Sequence, residues 1–290
     1  MAIVRLDSDL IAKLNFINTE GLEPGCYPFP DFMIVGPPRT GTTWLYHNLQ
    51  FHPQVYMSSP KEIIFFDRLD KPDDPHFHSD RLEWYSSFFS YAARMREIID
   101  DLQNFRIPRR KKMGEATASY SIMEESKIQE ITALNPKIQV IMAVRNPIDR
   151  AWSALKRHLS VEEEAERHFS SRSFPEISLK EFEDFYASDY MLRCGQFVEN
   201  IGRWKRVVGS DQVFVYVFDD IADRPRGLLE EIYKFLCVST RESVFNRVLY
   251  TKVVHRIAEI PLPEDHREFL FDLFRDEIRS LNEMFGLNYS

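Results

Sequence analysis

No run in this 290-residue chain reaches the roughly 18 apolar residues that a membrane-spanning helix needs. A membrane span is therefore not expected. Cysteine is scarce: Cys26, Cys194 and Cys237 are the whole set, an odd number without the spacing of a zinc site or a disulfide framework. The expectation is a cytoplasmic protein in a reducing compartment, with no bound metal. Positive charge is not in surplus either, since 37 Lys and Arg face 45 Asp and Glu, giving a net charge of −8. This excludes the basic footprint of a nucleic-acid binder, and large polyanionic acceptors are disfavoured unless cations gather in one cleft. Low-complexity tracts and internal repeats are also lacking. With 44% hydrophobic residues the chain reads as a single domain with a full core.

What is present is an alternation of short apolar runs and helical patterns. Asp31-Phe-Met-Ile-Val35 has the look of a buried strand entering the tight Gly-Pro-Pro turn at 36–38. Residues 54–57, 112–115, 137–144 and 212–218 read as further strands. Residues 40–50, 147–159, 196–208 and 226–235 read as helices, with Pro147 suited to a first helical turn. The N-terminal stretch 1–14 reads as an amphipathic helix. The pattern predicts an α/β fold with a mainly parallel central sheet flanked by helices. Along the chain this divides into an N-terminal helix and lead-in (1–28), a ligand-binding core (29–240), and a variable loop with a C-terminal helix (241–290). In such sheets ligands sit beyond the carboxyl ends of the strands, where the segments at Gly36 and Arg145 should emerge.

Gly36-Pro-Pro38-Arg39-Thr40-Gly41-Thr42-Thr43 places two glycines at the spacing of a nucleotide phosphate loop, between a strand and a helix. The lysine of an ATP-type loop is missing. Its position is Thr42, and the cation lies within the loop as Arg39. Backbone N–H groups at the helix start, with the Thr42 and Thr43 hydroxyls, suit a 5′-phosphate, and Arg39 can face the next group along. The bland alternative is a Gly-Pro turn into a helix.

Pro38-Arg39-Thr40-Gly41-Thr42-Thr43-Trp44-Leu45 resembles the Pro-Lys-x-Gly-Thr-Thr-x-Leu loop of the sulfotransferases that use 3′-phosphoadenosine 5′-phosphosulfate (PAPS). The resemblance implies cofactor binding by Pro38, Arg39, Thr40, Gly41, Thr42, Thr43 and Trp44, with 3′,5′-adenosine bisphosphate as the product and no metal. Arginine in place of lysine keeps the charge but rarely releases a proton, so electrostatic stabilisation is the role expected for Arg39. Val144-Arg145-Asn146-Pro147 with Ser153 is similar to the family's 3′-phosphate segment. Arg145 would leave a strand and Ser153 would lie two turns along the following helix, so both can converge on one anion. Arg150 is expected to pair with acids on its own helix.

Lys61-Glu62-Ile-Ile-Phe-Phe66 is similar to the Lys-Glu-x-x-Phe-Phe segment of the heparan-sulfate-type branch, where the glutamate is the base. This implies Glu62 as catalytic base, with Lys61 facing the leaving oxygen or the sulfuryl group. A solvated loop glutamate is the alternative. His47, His52, His76 and His78 match no histidine segment of the family and are read as surface or structural residues. Gly114-Glu115-Ala116-Thr117-Ala118-Ser119-Tyr120 resembles the Glu-Lys-x-Pro-x-Tyr segment, with Ala116 and Ala118 in place of the lysine and proline. The family's glycine-rich cofactor loop is absent, and Thr251, Lys252, His255 and Arg256 occupy its region. Trp84, Tyr85, Phe88 and Phe89 form either an acceptor-pocket wall or core packing. The resemblance implies sulfuryl transfer to a hydroxyl or amine of a carbohydrate, lipid alcohol or small natural product. Rival readings are a nucleotide kinase and a nucleotide-binding module without catalysis.

Overall fold

The computed structural model describes residues 2–90, 99, 111–166, 178–246 and 261–290. Its centre is a five-stranded parallel sheet of β3 (Phe32–Gly36), β4 (Val55–Met57), β5 (Lys112–Ala116), β6 (Gln139–Val144) and β7 (Val213–Val217), in the order β4-β5-β3-β6-β7. The expected α/β fold is therefore present. Every residue of β3 is buried, and so are five of the six in β6, because both faces of these strands are covered.

Alternate residues serve opposite faces. Met33 and Val35 join one core with Val140, Met142 and Val144, whereas Phe32 and Ile34 join another with Ile141 and Ala143. After α1 (Ser8–Ile11), α2 (Thr42–Gln50) and α3 (Leu82–Ser87) come α4 (Glu125–Leu134), α5 (Pro147–Glu166), α6 (Leu179–Tyr186), α7 (Asp189–Gly195) and α8 (Phe197–Val208). Then follow α9 (Asp220–Asp223), α10 (Pro225–Phe235), α11 (Glu242–Phe245) and α12 (Glu264–Phe285). The first face is covered by apolar residues of α4 and α8, among them Ile128, Ile131, Ile201 and Trp204; the second by Leu45 and Leu49 of α2 with Leu228 and Ile232 of α10. A third cluster joins α5, α6 and α12 through Trp152, Phe182 and Phe274.

The expected helix over 1–14 is wrong. Ala2–Leu6 is a strand, β1, paired antiparallel with β2 (Gly25–Phe29), and only the four-residue α1 is helical. Exposed Ile3 and Arg5 alternate with buried Val4 and Leu6, which is the period of a strand. The Glu130 carboxylate holds the following turn by accepting the backbone N–H groups of Asn15, Phe16 and Ile17.

Candidate functional site

One cleft of about 1250 Å³ receives residues from beyond the carboxyl end of all five parallel strands. Pro38 and Arg39 follow β3, Lys61 and Glu62 follow β4, Ala118 and Ser119 follow β5, Arg145 follows β6, and Phe218 and Asp219 follow β7. The strand order reverses at β3, whose neighbours β5 and β6 lead to opposite edges. The loop after β3 thus opens at the switch point where such sheets bind ligands.

The phosphate loop has the conformation that its glycines predict. Gly36 has φ 96, and a Cβ there would stand 2.3 Å from the Ala118 carbonyl oxygen, so this close approach needs glycine. Gly41, at φ 82, caps α2 without a side-chain hydrogen bond to the helix, which leaves the first-turn N–H groups directed toward a ligand. Thr40 departs from the expected ligand role. It is fully buried, and its hydroxyl donates to the Pro37 carbonyl at 2.6 Å, making it a brace of the loop. Pro38, Arg39, Gly41, Thr42, Thr43 and Trp44 line the cleft, as do Arg145 and Ser153.

The loop after β3 and the segment from Arg145 to Ser153 touch. Arg39 Nε donates to Ser153 Oγ at 3.0 Å, and Arg145 Nη1 donates to the Arg39 carbonyl oxygen at 2.7 Å. The Arg145 guanidinium also lies over the Phe218 ring, 4.2 Å from its centroid. Burial, with the charges of Arg145 and Arg157 adding to it, lowers Arg39 to about 10. It remains a cation at neutral pH. Arg157, one helical turn beyond Ser153, was not singled out in the sequence; its i+4 spacing on the same helix was the available signal.

This donor set fits a nucleotide carrying phosphates at both ends. Mutually repelling, half-buried guanidiniums of Arg39 and Arg145 lie beside a helix start that lacks a side-chain cap, and an anion between them relieves both. The cleft volume exceeds the 300–1,000 Å³ typical of single-ligand sites, leaving room for an acceptor beside a nucleotide.

In the same cleft, Glu62 and Lys61 form an ion pair, with 32% and 19% of their side chains exposed. Glu62 Oε2 also accepts the Ala118 backbone N–H at 2.8 Å. The dry setting expected for Glu62 is thus only partial, and Lys61 is paired with Glu62. Arg68, His76 and Tyr190 share this side of the cleft, none of them foreseen as site residues. Arg68 is engaged by Asp67 at 2.8 Å and Asp74 at 3.0 Å.

Other expectations resolve plainly. Trp84, Tyr85, Phe88 and Phe89 do not line the cleft; Tyr85 and Phe89 are fully buried and the other two pack on the same core. Arg150 does not pair with its own helix. It is completely buried, and Nη2 donates to the Met191 carbonyl at 3.1 Å, because Arg150 lies on the face of α5 that packs against α7. His52 is structural: its ring nitrogens meet the Ser239 carbonyl and the Gln54 N–H, at 2.9 and 3.1 Å. His76 reaches the cleft. Residues 251–256 lie outside the described residues. Among those described, no helix is long and apolar enough to cross a membrane, and no cluster of His, Cys, Asp and Glu could hold a metal ion.

A sulfotransferase from Alicyclobacillus acidocaldarius superposes with a TM-score of 0.60 at 25% identity, covering 90% of this chain and 97% of that one. Bifunctional heparan sulfate N-deacetylase/N-sulfotransferase 4 of Mus musculus is 27% identical over 225 residues, or 75% of this chain. The corresponding enzyme 3 of Homo sapiens is 27% identical over 224 residues, or 74% of this chain. The match takes in 23% of the length of each of these curated relatives. The Sulfotransferase domain family matches residues 29–255, which hold every site residue described above, and the chain belongs to that family.

Proposed function

We propose that the protein transfers the sulfuryl group of PAPS to a hydroxyl or amine of a carbohydrate, lipid alcohol or small natural product, releasing 3′,5′-adenosine bisphosphate. The observation that carries this reading is the meeting of Arg39, Arg145 and Ser153 in the cleft that Glu62 also lines. PAPS, when bound, supplies an activated sulfuryl group on a phosphate leaving group. Thr42, Thr43 and the N–H groups of the α2 start are suited to the 5′-phosphate, and Arg145 with Ser153 to the 3′-phosphate. Trp44 and Phe218 offer rings for the base. Arg39 stabilises negative charge developing on the leaving oxygen, and its charge persists through neutral pH. Glu62 takes the acceptor's proton, oriented by the Ala118 N–H and by Lys61. Lys61 steadies the carboxylate between turnovers.

The test is release of 3′,5′-adenosine bisphosphate from PAPS without magnesium, across a panel of hydroxyl and amine acceptors. Release that rises with one acceptor supports the reading. Consumption of ATP with magnesium, and no consumption of PAPS, would establish a kinase instead.

A further inference from the structure

Beneath the base segment, β5 carries a carboxyl group that this chemistry does not use. Glu115 is fully buried, and neither of its oxygens has a hydrogen-bond partner of ordinary geometry. Four groups face it: Tyr85 of α3, Tyr120 of the 3-10 turn Ala118–Ile122, and the carboxylates of Asp67 and Glu62 beyond β4. Asp67 is itself buried beside Ser119, Arg68 and Lys127. Burial pushes Glu115 up to about 8; Asp67 and Glu62 add to the rise, and the two tyrosines oppose it. At neutral pH Glu115 is therefore an uncharged acid with an O–H to donate.

Tyr120 links this acid to the base. Its hydroxyl oxygen accepts the backbone N–H groups of Phe65 at 3.0 Å and Phe66 at 3.2 Å. These bonds hold the chain just past Glu62 and Ile64, which take left-handed backbone with φ 65 and 55, a conformation costly for side chains of this kind. The same segment is tied to β5 by Glu62 N–H on the Ala116 carbonyl and to the following turn by Ala118 N–H on the Glu62 carboxylate, both at 2.8 Å. The strained loop that presents Glu62 thus rests on residues 115–120, and Glu115 faces the hydroxyl at the centre of that support.

We infer that Glu115 in its neutral form is a positioning residue for Glu62, acting through Tyr120, and that its ionisation disables the base loop at alkaline pH. The inference rests on the role proposed for Glu62. Ionised, Glu115 sets a buried negative charge beside the carboxyl groups of Asp67 and Glu62 and loses the proton that makes it a compatible neighbour for buried hydroxyls.

The experiment follows PAPS hydrolysis, with water as acceptor, between about pH 5.5 and 9.5 in wild type, Glu115→Gln, Glu115→Leu and Tyr120→Phe. Affinity for 3′,5′-adenosine bisphosphate and the pH dependence of Tm are measured in parallel. Wild-type turnover should fall above pH 8, the value to which Glu115 is raised. Glu115→Gln, a permanently neutral isostere, should lose that fall and lie well above Glu115→Leu at neutral pH. Glu115→Leu and Tyr120→Phe should lose up to about 10²-fold in kcat through misplacement of the base, with bisphosphate affinity unchanged. Because the folded state keeps a proton that the unfolded chain releases near 4.5, wild-type stability should fall as pH rises from 4.5 toward 8, and Glu115→Gln should flatten that slope. An alkaline fall and a Tm slope that both persist in Glu115→Gln overturn the inference. So does full activity in Tyr120→Phe. A wild type that binds no bisphosphate and consumes no PAPS overturns the sulfuryl-transfer reading, and this inference with it.

Discussion

Arg39 Nε reaches Ser153 Oγ at 3.0 Å, so the cation of the phosphate loop and the hydroxyl two turns along α5 are already in contact without a ligand. The Arg39 backbone is held as well, since its carbonyl oxygen accepts from Arg145. The Ser153 hydroxyl keeps its own proton to donate to an anion while its oxygen accepts from Arg39. The pair can therefore present the Ser153 proton and the Arg39 guanidinium to one anion together.

Substitution at Arg39 should separate rate from binding. Arg39→Ala is expected to lower kcat by about 10² to 10³-fold, a loss of the size seen for single groups that stabilise developing charge. Bisphosphate affinity should fall much less. Arg39→Lys should keep much of the rate, because positive charge matters more here than the guanidinium fork. Since Arg39 is lowered only to about 10, no loss of rate between pH 6 and 9 should disappear in Arg39→Lys. Steady-state rates and calorimetric affinities of the two variants check this.

The second phosphate grip makes a prediction about ligand preference. The bisphosphate should stabilise the protein more than AMP does, without magnesium, because AMP lacks the group that Arg145 and Ser153 are placed to hold. At a hundred times its Kd a ligand adds about 2.7 kcal/mol. Arg145→Ala should erase most of the difference, since loss of a charge-assisted bond costs about 1.5 to 3 kcal/mol. Equal thermal shifts from the two nucleotides in wild type would refute the 3′ assignment.

These groups were legible in the sequence for a local reason. The phosphate loop and the Arg145 to Ser153 spacing are each set within one strand–loop–helix unit, where periodicity and glycine placement carry the information. Continuous apolar runs likewise identified β3 and β6. Residues 1–14 misled because Leu6, Leu10 and Leu14 recur at helical spacing, whereas the strand there depends on pairing with Gly25–Phe29, twenty residues away. Non-local contacts were equally hidden. Nothing in the segment around Glu62 signals that Ala118, 56 residues on, would hold its carboxylate, or that α7 would take up the buried guanidinium of Arg150.

Gly36 ties the fold to the site, and replacing it should damage both. In Gly36→Ala the new Cβ would meet the Ala118 carbonyl carbon and oxygen at 2.9 and 2.3 Å, on a backbone with φ 96. Relief requires β3 and the 118–122 turn to separate, which moves the Ala118 N–H that orients Glu62. A loss of at least about 2 kcal/mol is expected, together with reduced turnover in whatever fraction folds. Thermal denaturation and the rate per folded molecule test the two effects separately.

Glu62→Gln tests the base directly. The amide keeps the size of the side chain and an oxygen for the Ala118 N–H, but it cannot take a proton from an acceptor and cannot pair with Lys61. Turnover should fall by about 10² to 10⁴-fold, while bisphosphate affinity stays within a few-fold, because Glu62 is bonded to Lys61 and Ala118 and takes no part in the Arg39–Arg145–Ser153 contacts. The ion pair with Lys61 sharpens the comparison. Lys61→Ala removes the cation but leaves the carboxylate and its bond from the Ala118 N–H, so it should retain more activity than Glu62→Gln. If Glu62→Gln turns over at a near-normal rate and His76→Ala does not, the base is His76, which also faces the cleft, and Glu62 serves only to anchor the loop.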